Sequence, residues 1–149
     1  MTDLTMRVSF DPADLDIDLI HGFLSEAYWS LGIPRDTVER AIRGSLCAGG
    51  FETSADGNEE QIGFARVISD RATFAYLADV FVLPQHRGRG VATALLEALY
   101  GHSDLQGLRR WALFTRDMQP LYARLGWEAY PHPERLMVRE APDIYQRNI

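Results

Sequence analysis

The sequence predicts one mixed α/β domain over residues 1–149, with elements in the order β-α-α-β-β-β-α-β-α-β-β. Three observations carry this. Two early segments place apolar residues at helical spacing. Between Cys47 and Leu83 the pattern changes to strands. The last of those strands runs into a glycine–arginine loop that opens a strongly apolar helix. With 46% hydrophobic and 24% charged residues, the composition is that of an ordinary globular chain. A domain of this length buries about 68–70% of the surface its unfolded chain exposes.

Met6 to Phe10 reads as the first strand, ended by Asp11-Pro12. Leu15, Leu19, Ile20, Phe23, Leu24, Ala27 and Tyr28 then fall on one helical stripe. Gly32 and Pro34 break it, and Pro34 to Asp36 supply the start signals of a second helix carrying Val38, Ala41, Ile42 and Leu46. Strands follow over Cys47 to Thr53, Gln61 to Ser69 and Thr73 to Leu83. A polar hairpin loop at Ser54 to Glu60 and a tight connection at Asp70 to Ala72 join them. The third strand is nearly all apolar or aromatic, as burial on both faces requires. Pro84 stops it, and a helix over Val91 to Tyr100 follows the loop. A loop from Gly101 to Gly107 leads to a buried strand over Trp111 to Thr115 and a short helix over Pro120 to Leu125. Two strands over Trp127 to Tyr130 and Leu136 to Arg139 complete the order.

All 15 basic residues are arginine, because the sequence contains no lysine. This excludes a P-loop nucleotidase, whose phosphate loop needs a lysine, and any lysine-nucleophile enzyme. Residues 1–60 hold 12 acids against four arginines, a balance of −8; residues 61–149 hold nine against 11, a balance of +2. An acidic first part suits a cationic partner or a solvated face; the remainder suits an anion. A net charge of −6 leaves no basic stripe for nucleic acid, so no nucleic-acid partner is expected. Cys47 is the single cysteine, which rules out an intrachain disulfide and a multi-cysteine metal site. The four histidines lack metal-ligand spacing, and no metal is expected. No apolar run reaches the roughly 20 residues of a membrane span, and no signal-type stretch opens the chain. The expectation is a soluble cytoplasmic protein with no membrane partner.

The most informative segment is Asp79 to Leu95. A buried strand ends at Pro84, and Arg87-Gly88-Arg89-Gly90-Val91-Ala92 then enters a helix. A glycine turn at a helix start aims backbone N–H groups at an anion, helped by the positive end of the helix dipole. Gly88 and Gly90 permit close approach, Arg87 and Arg89 add charge, and Thr93 adds a hydroxyl one turn inside. A dinucleotide fingerprint fails here, since its third glycine and its ribose-binding acid are missing.

The run Val82-x-Pro84-x-x-Arg87-Gly88-x-Gly90-Val91-Ala92 resembles the acyl-CoA loop of the GNAT superfamily of N-acetyltransferases, Gln/Arg-x-x-Gly-x-Gly/Ala. Leu121-Tyr122-Ala123-Arg124-Leu125-Gly126-Trp127 is similar to the family's late Leu-Tyr-x-x-x-Gly-aromatic segment, and the element order agrees across essentially the whole chain. The resemblance implies a mostly antiparallel sheet with splayed central strands and acetyl-CoA as co-substrate. It also implies that the 87–92 loop holds the pyrophosphate and that the backbone of Val80, Phe81 and Val82 pairs with the pantetheine arm. The Val80 amide would face the thioester oxygen, and Tyr122 would protonate the leaving thiolate. Thr115 stands where many members carry an asparagine that bonds the arm.

For the base, Tyr76 and Asp79 compete. Tyrosine is a poor base at neutral pH, whereas Asp79 matches an acid in polyamine-acetylating members and is costly to bury unpaired. Tyr28, Trp29, Phe74 and Tyr76 are the candidate acceptor wall, suited to a cationic amine by cation–π attraction. Asp117 reads as the cap of the short helix and His86 as a solvated loop residue. The implied activity is acetyl transfer to a primary amine of a small cationic metabolite. The rivals are a protein N-terminal or lysine acetyltransferase and a non-catalytic acyl-CoA-binding module. Homodimers are common among members and are an implied assembly.

Overall fold

Four successive strands pair antiparallel with their neighbours in chain order, and a fifth lies parallel to the fourth. The computed structural model describes residues 5–147. The order runs β1 (Met6–Ser9), α1 (Ile17–Glu26), α2 (Arg35–Arg43), β2 (Leu46–Thr53), β3 (Glu59–Ser69), β4 (Phe74–Val82), α3 (Val91–Tyr100), β5 (Arg110–Ala112), α4 (Gln119–Arg124). The sheet order is β1-β2-β3-β4-β5, antiparallel except for β4 and β5. A parallel pair needs a crossover, and α3 supplies it.

Each face of the sheet is covered. On one, Ile20 and Leu24 of α1 and Val38 and Ile42 of α2 pack with Cys47, Phe64 and Phe81. On the other, Val91, Leu95, Leu96 and Leu99 of α3 pack with Leu46, Ala48, Ile62, Ala65 and Val67. Asp16 caps α1, its carboxylate accepting from the Leu19 N–H at 3.1 Å. Helix α3 lies close on β3 because Gly63 has no side chain there. A Cβ at Gly63 would come within 2.9 Å of Val91 Cγ1 and 3.1 Å of Leu95 Cδ1.

The sheet also carries a bulge. Arg66 pairs with Ala78 and Phe64 with Phe81, so Asp79 and Val80 together face the single residue Ala65. Asp79 has φ +54°, a left-handed conformation that aspartate tolerates better than most residues.

The order through α4 is as expected, but the two last strands are not formed. Trp127–Tyr130 and Leu136–Arg139 are in no ladder. The Trp127 N–H caps α4 by donating to the Tyr122 carbonyl, and Pro131 and Pro133 have no N–H to donate. Leu136, Met137 and Val138 find no buried face, with Met137 91% exposed. The predicted second helix also stops short of Leu46, which opens β2. Among the described residues no helix is long and apolar enough to cross a membrane.

Candidate active site

β4 and β5 pair only from Phe74–Arg110 to Tyr76–Ala112. Beyond Tyr76, β4 continues to Val82 while the chain after Ala112 leaves the sheet. The gap opens into a cavity of about 1100 Å³ whose lining includes Val80, Phe81, Val82, Leu113 and Thr115. The bulge turns the β4 backbone at the mouth of this gap.

The loop after Pro84 forms one end of the cavity, where Arg87, Gly88, Gly90, Val91, Ala92 and Thr93 line it. Gly88 and Gly90 both take left-handed φ, +77° and +82°. Val91, Ala92 and Thr93 open α3 beside the gap with no side-chain cap, and the amides of a helix's first turn have no intrahelical partner. Arg87 donates from Nε to the Val82 carbonyl at 3.0 Å, which ties the loop to the free edge of β4. Arg89 does not line the cavity. It forms a two-pronged pair with Glu52 of β2, at 2.7 and 3.1 Å, so it braces the loop from behind. His86 joins this brace and is not a solvated loop residue. Its Nδ1 lies 2.9 Å from Arg89 Nη1 and 3.1 Å from Glu52 Oε2. A neutral ring with a lone pair on Nδ1 accepts from Arg89; with a proton there it donates to Glu52. The Arg89 guanidinium holds the Glu52 carboxyl below its usual range.

Helix α4 carries Tyr122 to the cavity, its ring 9% exposed and packed edge-on to Trp127. Burial pushes its phenol up to about 12, with further upward contributions from Tyr100 and Tyr28. The hydroxyl therefore stays protonated across the physiological range and can only be a donor or a neutral acceptor there. Thr115 lines the cavity, but its Oγ1 accepts from the Met118 N–H at 3.0 Å and so closes the turn that leads into α4. The capping role expected of Asp117 is not seen: the N-cap of α4 is Met118, with no side-chain cap bond, and the Asp117 carboxylate lies 3.7 Å from Arg116.

The other half of the cavity contains Tyr28, Trp29 and Tyr76. Phe74 is not part of it. It sits two residues back along β4, where the strand still pairs with β5. Asp79 lies at the floor with both oxygens engaged. Trp29 Nε1 donates to one at 2.9 Å and Arg66 Nε to the other at 2.8 Å, with Asp79 11% exposed. Arg66 in turn donates to Ser45 at 3.1 Å. The acid in the apolar run is thus half of a buried ion pair, which is the hydrogen-bonded partner such a carboxylate requires. Burial raises the Tyr76 phenol, so it too remains neutral.

Arg116 and Glu140 are among the lining residues that the sequence did not single out. Arg116, after β5, stacks on Tyr28 with its guanidinium carbon 3.9 Å from the ring centre, and its N–H donates to the Tyr28 hydroxyl at 3.3 Å. Glu140 lines the cavity near Tyr76, whose phenol its charge pushes upward. None of the acids described between residues 5 and 60 lines the cavity. Among them Glu52 faces Arg89, Asp14 and Glu59 face Arg7, and Asp18 faces Arg35.

A splayed sheet with a glycine–arginine loop at one end of the gap and a tyrosine beside it defines an acyl-transfer domain. Residues 52–129 match the family model described as an acetyltransferase (GNAT) domain. A crystal structure from Xanthomonas campestris, of a protein assigned to the GNAT family as an acetyltransferase, is 53% identical. It superimposes with a TM-score of 0.87, covering 94% of this chain and 96% of that one. A Gibberella zeae protein described as an acetyltransferase is 37% identical over 83% of this chain and 79% of its own length. A histone acetyltransferase of Glycine max is 36% identical over 79% of this chain, which spans about half (54%) of that protein. The chain belongs to the GNAT acetyltransferase family, and acetyl-CoA is the acyl donor of that family.

Proposed function

We propose that the protein is an acetyl-CoA-dependent N-acetyltransferase that acetylates the primary amine of a small acceptor by direct attack in a ternary complex. The observation that carries this reading is the Tyr122 side chain, brought by α4 to the gap between β4 and β5 and kept as a protonated phenol.

The residues present fit the donor. A Cβ at Gly88 would meet open space, so a phosphate group can approach the backbone there, and the first turn of α3 lies beside the same region. The pyrophosphate would rest on residues 87–92 and the pantetheine arm along Val80 to Val82. When bound, acetyl-CoA supplies the activated acetyl group. The chain does the rest. The amide of Val80, turned by the bulge, is assigned to the thioester oxygen, where it stabilises charge as the carbon becomes tetrahedral. The Tyr122 hydroxyl donates to the departing sulfur and hands over its proton. Asp79 shapes this place through the bulge and holds Trp29, and we assign it positioning rather than proton transfer. Glu140, a lining carboxylate without a hydrogen-bond partner among the described residues, is the available base for the acceptor's ammonium.

The aromatic walls Tyr28, Trp29 and Tyr76 favour a small acceptor over a protein chain, and suit a cationic amine head. The test is thiol release from acetyl-CoA across a panel of amines and short peptides, with Tyr122→Phe in parallel. Release that the variant loses, with acetyl-CoA affinity retained, supports the reading. Tight acetyl-CoA binding with no release on any amine would leave the non-catalytic binding module, and release on peptides alone would make the acceptor a protein.

A further inference from the structure

We propose that the amine acceptor also carries a carboxylate, and that Arg116 binds it. The inference rests on the acetyltransferase reading above and names the acceptor's chemical class.

Arg116 is held in place without its donors being used. Its guanidinium lies 3.9 Å over the Tyr28 ring, and its backbone N–H is fixed to the Tyr28 hydroxyl at 3.3 Å. The anchor continues inward. Tyr28 meets Trp29 edge-on at 5.1 Å, and Trp29 is hydrogen-bonded to Asp79 at the bulge beside Val80. A stacked guanidinium keeps its planar fork of N–H groups free at the edge, the geometry that a carboxylate matches with two parallel hydrogen bonds. The one acid near it, Asp117, stands 3.7 Å away, within ion-pair reach but beyond a hydrogen bond, and both side chains are mostly exposed.

The charge of the cavity points the same way. Four arginines line it against three acids. Arg66 and Asp79 neutralise each other. Arg87 belongs to the phosphate loop. Of the other lining charges, Arg116 and Arg124 stand against Asp117 and Glu140, and Arg116 is the one stacked on an acceptor-wall ring, so the acceptor side offers both a cation and carboxylates. An acceptor with an amine at one end and a carboxylate at the other would place its carboxylate on Arg116 and its amine toward the bulge. Tyr28 joins the two parts of this arrangement, because it carries Arg116 and lines the same cavity as Tyr122.

The experiment measures kcat/KM by thiol release for pairs of small amines that differ only in the carboxylate, amino acids against their amides, in wild type, Arg116→Gln and Arg116→Lys. Removing the carboxylate also lowers the amine pKa and raises the free-amine fraction, which by itself favours the amide. A preference for the acids is therefore a binding effect. A charge-assisted pair of hydrogen bonds predicts acids favoured by about ten- to a hundredfold. In Arg116→Gln that preference should vanish with the acetyl-CoA KM unchanged, and Arg116→Lys should recover part of it. Amides used as well as acids by the wild type would overturn the inference while leaving the acetyltransferase reading standing. A raised acetyl-CoA KM in Arg116→Gln with acceptor preference intact would assign Arg116 to the donor and overturn it as well. No thiol release with any amine, despite acetyl-CoA binding, would remove the underlying reading and this inference together.

Discussion

Replacing Gly63 by alanine tests how α3, and with it the phosphate loop, is seated on the sheet. A Cβ there would stand 2.9 Å from Val91 Cγ1, 3.1 Å from Leu95 Cδ1 and 3.3 Å from the Phe81 carbonyl oxygen. Val91 is the first residue of α3 and Leu95 lies one turn on, both essentially buried. Neither side chain has room to turn away, so the helix must lift from β3 at its N-terminal end. Overpacking of this kind costs about 1–3 kcal/mol, which for a domain near this size lowers Tm by roughly 2–10 °C. The lifted end is the one preceded by Gly88 and Gly90, so acetyl-CoA affinity should fall in the same variant. Gly22→Ala is the control. It lies inside α1 with nothing within 4 Å of its Cβ, and should gain roughly 0.5–1 kcal/mol. Thermal unfolding by circular dichroism and acetyl-CoA titration by calorimetry read both effects. Wild-type Tm and affinity in Gly63→Ala would refute the close seating of α3 on β3.

Tyr122→Phe should lower kcat at least tenfold while moving acetyl-CoA affinity by less than about twofold, measured by thiol release and calorimetry. Gly90→Val forces a β-branched residue to φ +82° and should abolish measurable acetyl-CoA binding. Glu52→Gln removes the charge that Arg89 pairs with, and should raise the acetyl-CoA KM more at low salt than at high salt. At alkaline pH, burial holds the folded Cys47 thiol and Tyr122 phenol both up at about 12, above their ordinary values. The folded state thus keeps these protons longer than the unfolded one. Their stabilisation is complete below about pH 9 and is lost as pH rises toward 12. Urea unfolding of Cys47→Ser should show a shallower decline over that window, and a wild-type thiol that reacts rapidly with an alkylating agent at pH 8 would contradict its burial.

What the sequence disclosed followed from local physics. Gly88 and Gly90 announced a turn that needs left-handed backbone, and the stripes of α1, α2 and α3 announced their buried faces. Pairings distant in sequence were hidden. Asp79 drew notice as an acid in an apolar run, but its partner Arg66 is on the adjacent strand, and the bulge that sets their register leaves no periodic trace. Arg89 pointed to a phosphate, yet Glu52, 37 residues earlier, takes its guanidinium. Phe74 and Tyr76 are both candidates for the acceptor wall as aromatics of the same strand; where the β4–β5 ladder ends decides between them. Leu136 to Arg139 has strand-like composition but no partner to bury it. Arg116 and Glu140 belong to irregular segments, where no period exists to point at a cavity.

The arginine-only basic set has a chemical consequence for a protein that handles an activated thioester. Every permanently charged side-chain cation in its ion pairs, from Arg7 with Glu59 to Arg66 with Asp79 and Arg89 with Glu52, is a guanidinium. A guanidinium remains protonated and is not a nucleophile near neutral pH, whereas a lysine amine would be open to spontaneous acylation and would lose its charge on reaction. The braces of the loop and of the bulge are therefore inert toward the reagent they surround, and prolonged exposure to acetyl-CoA leaves them intact.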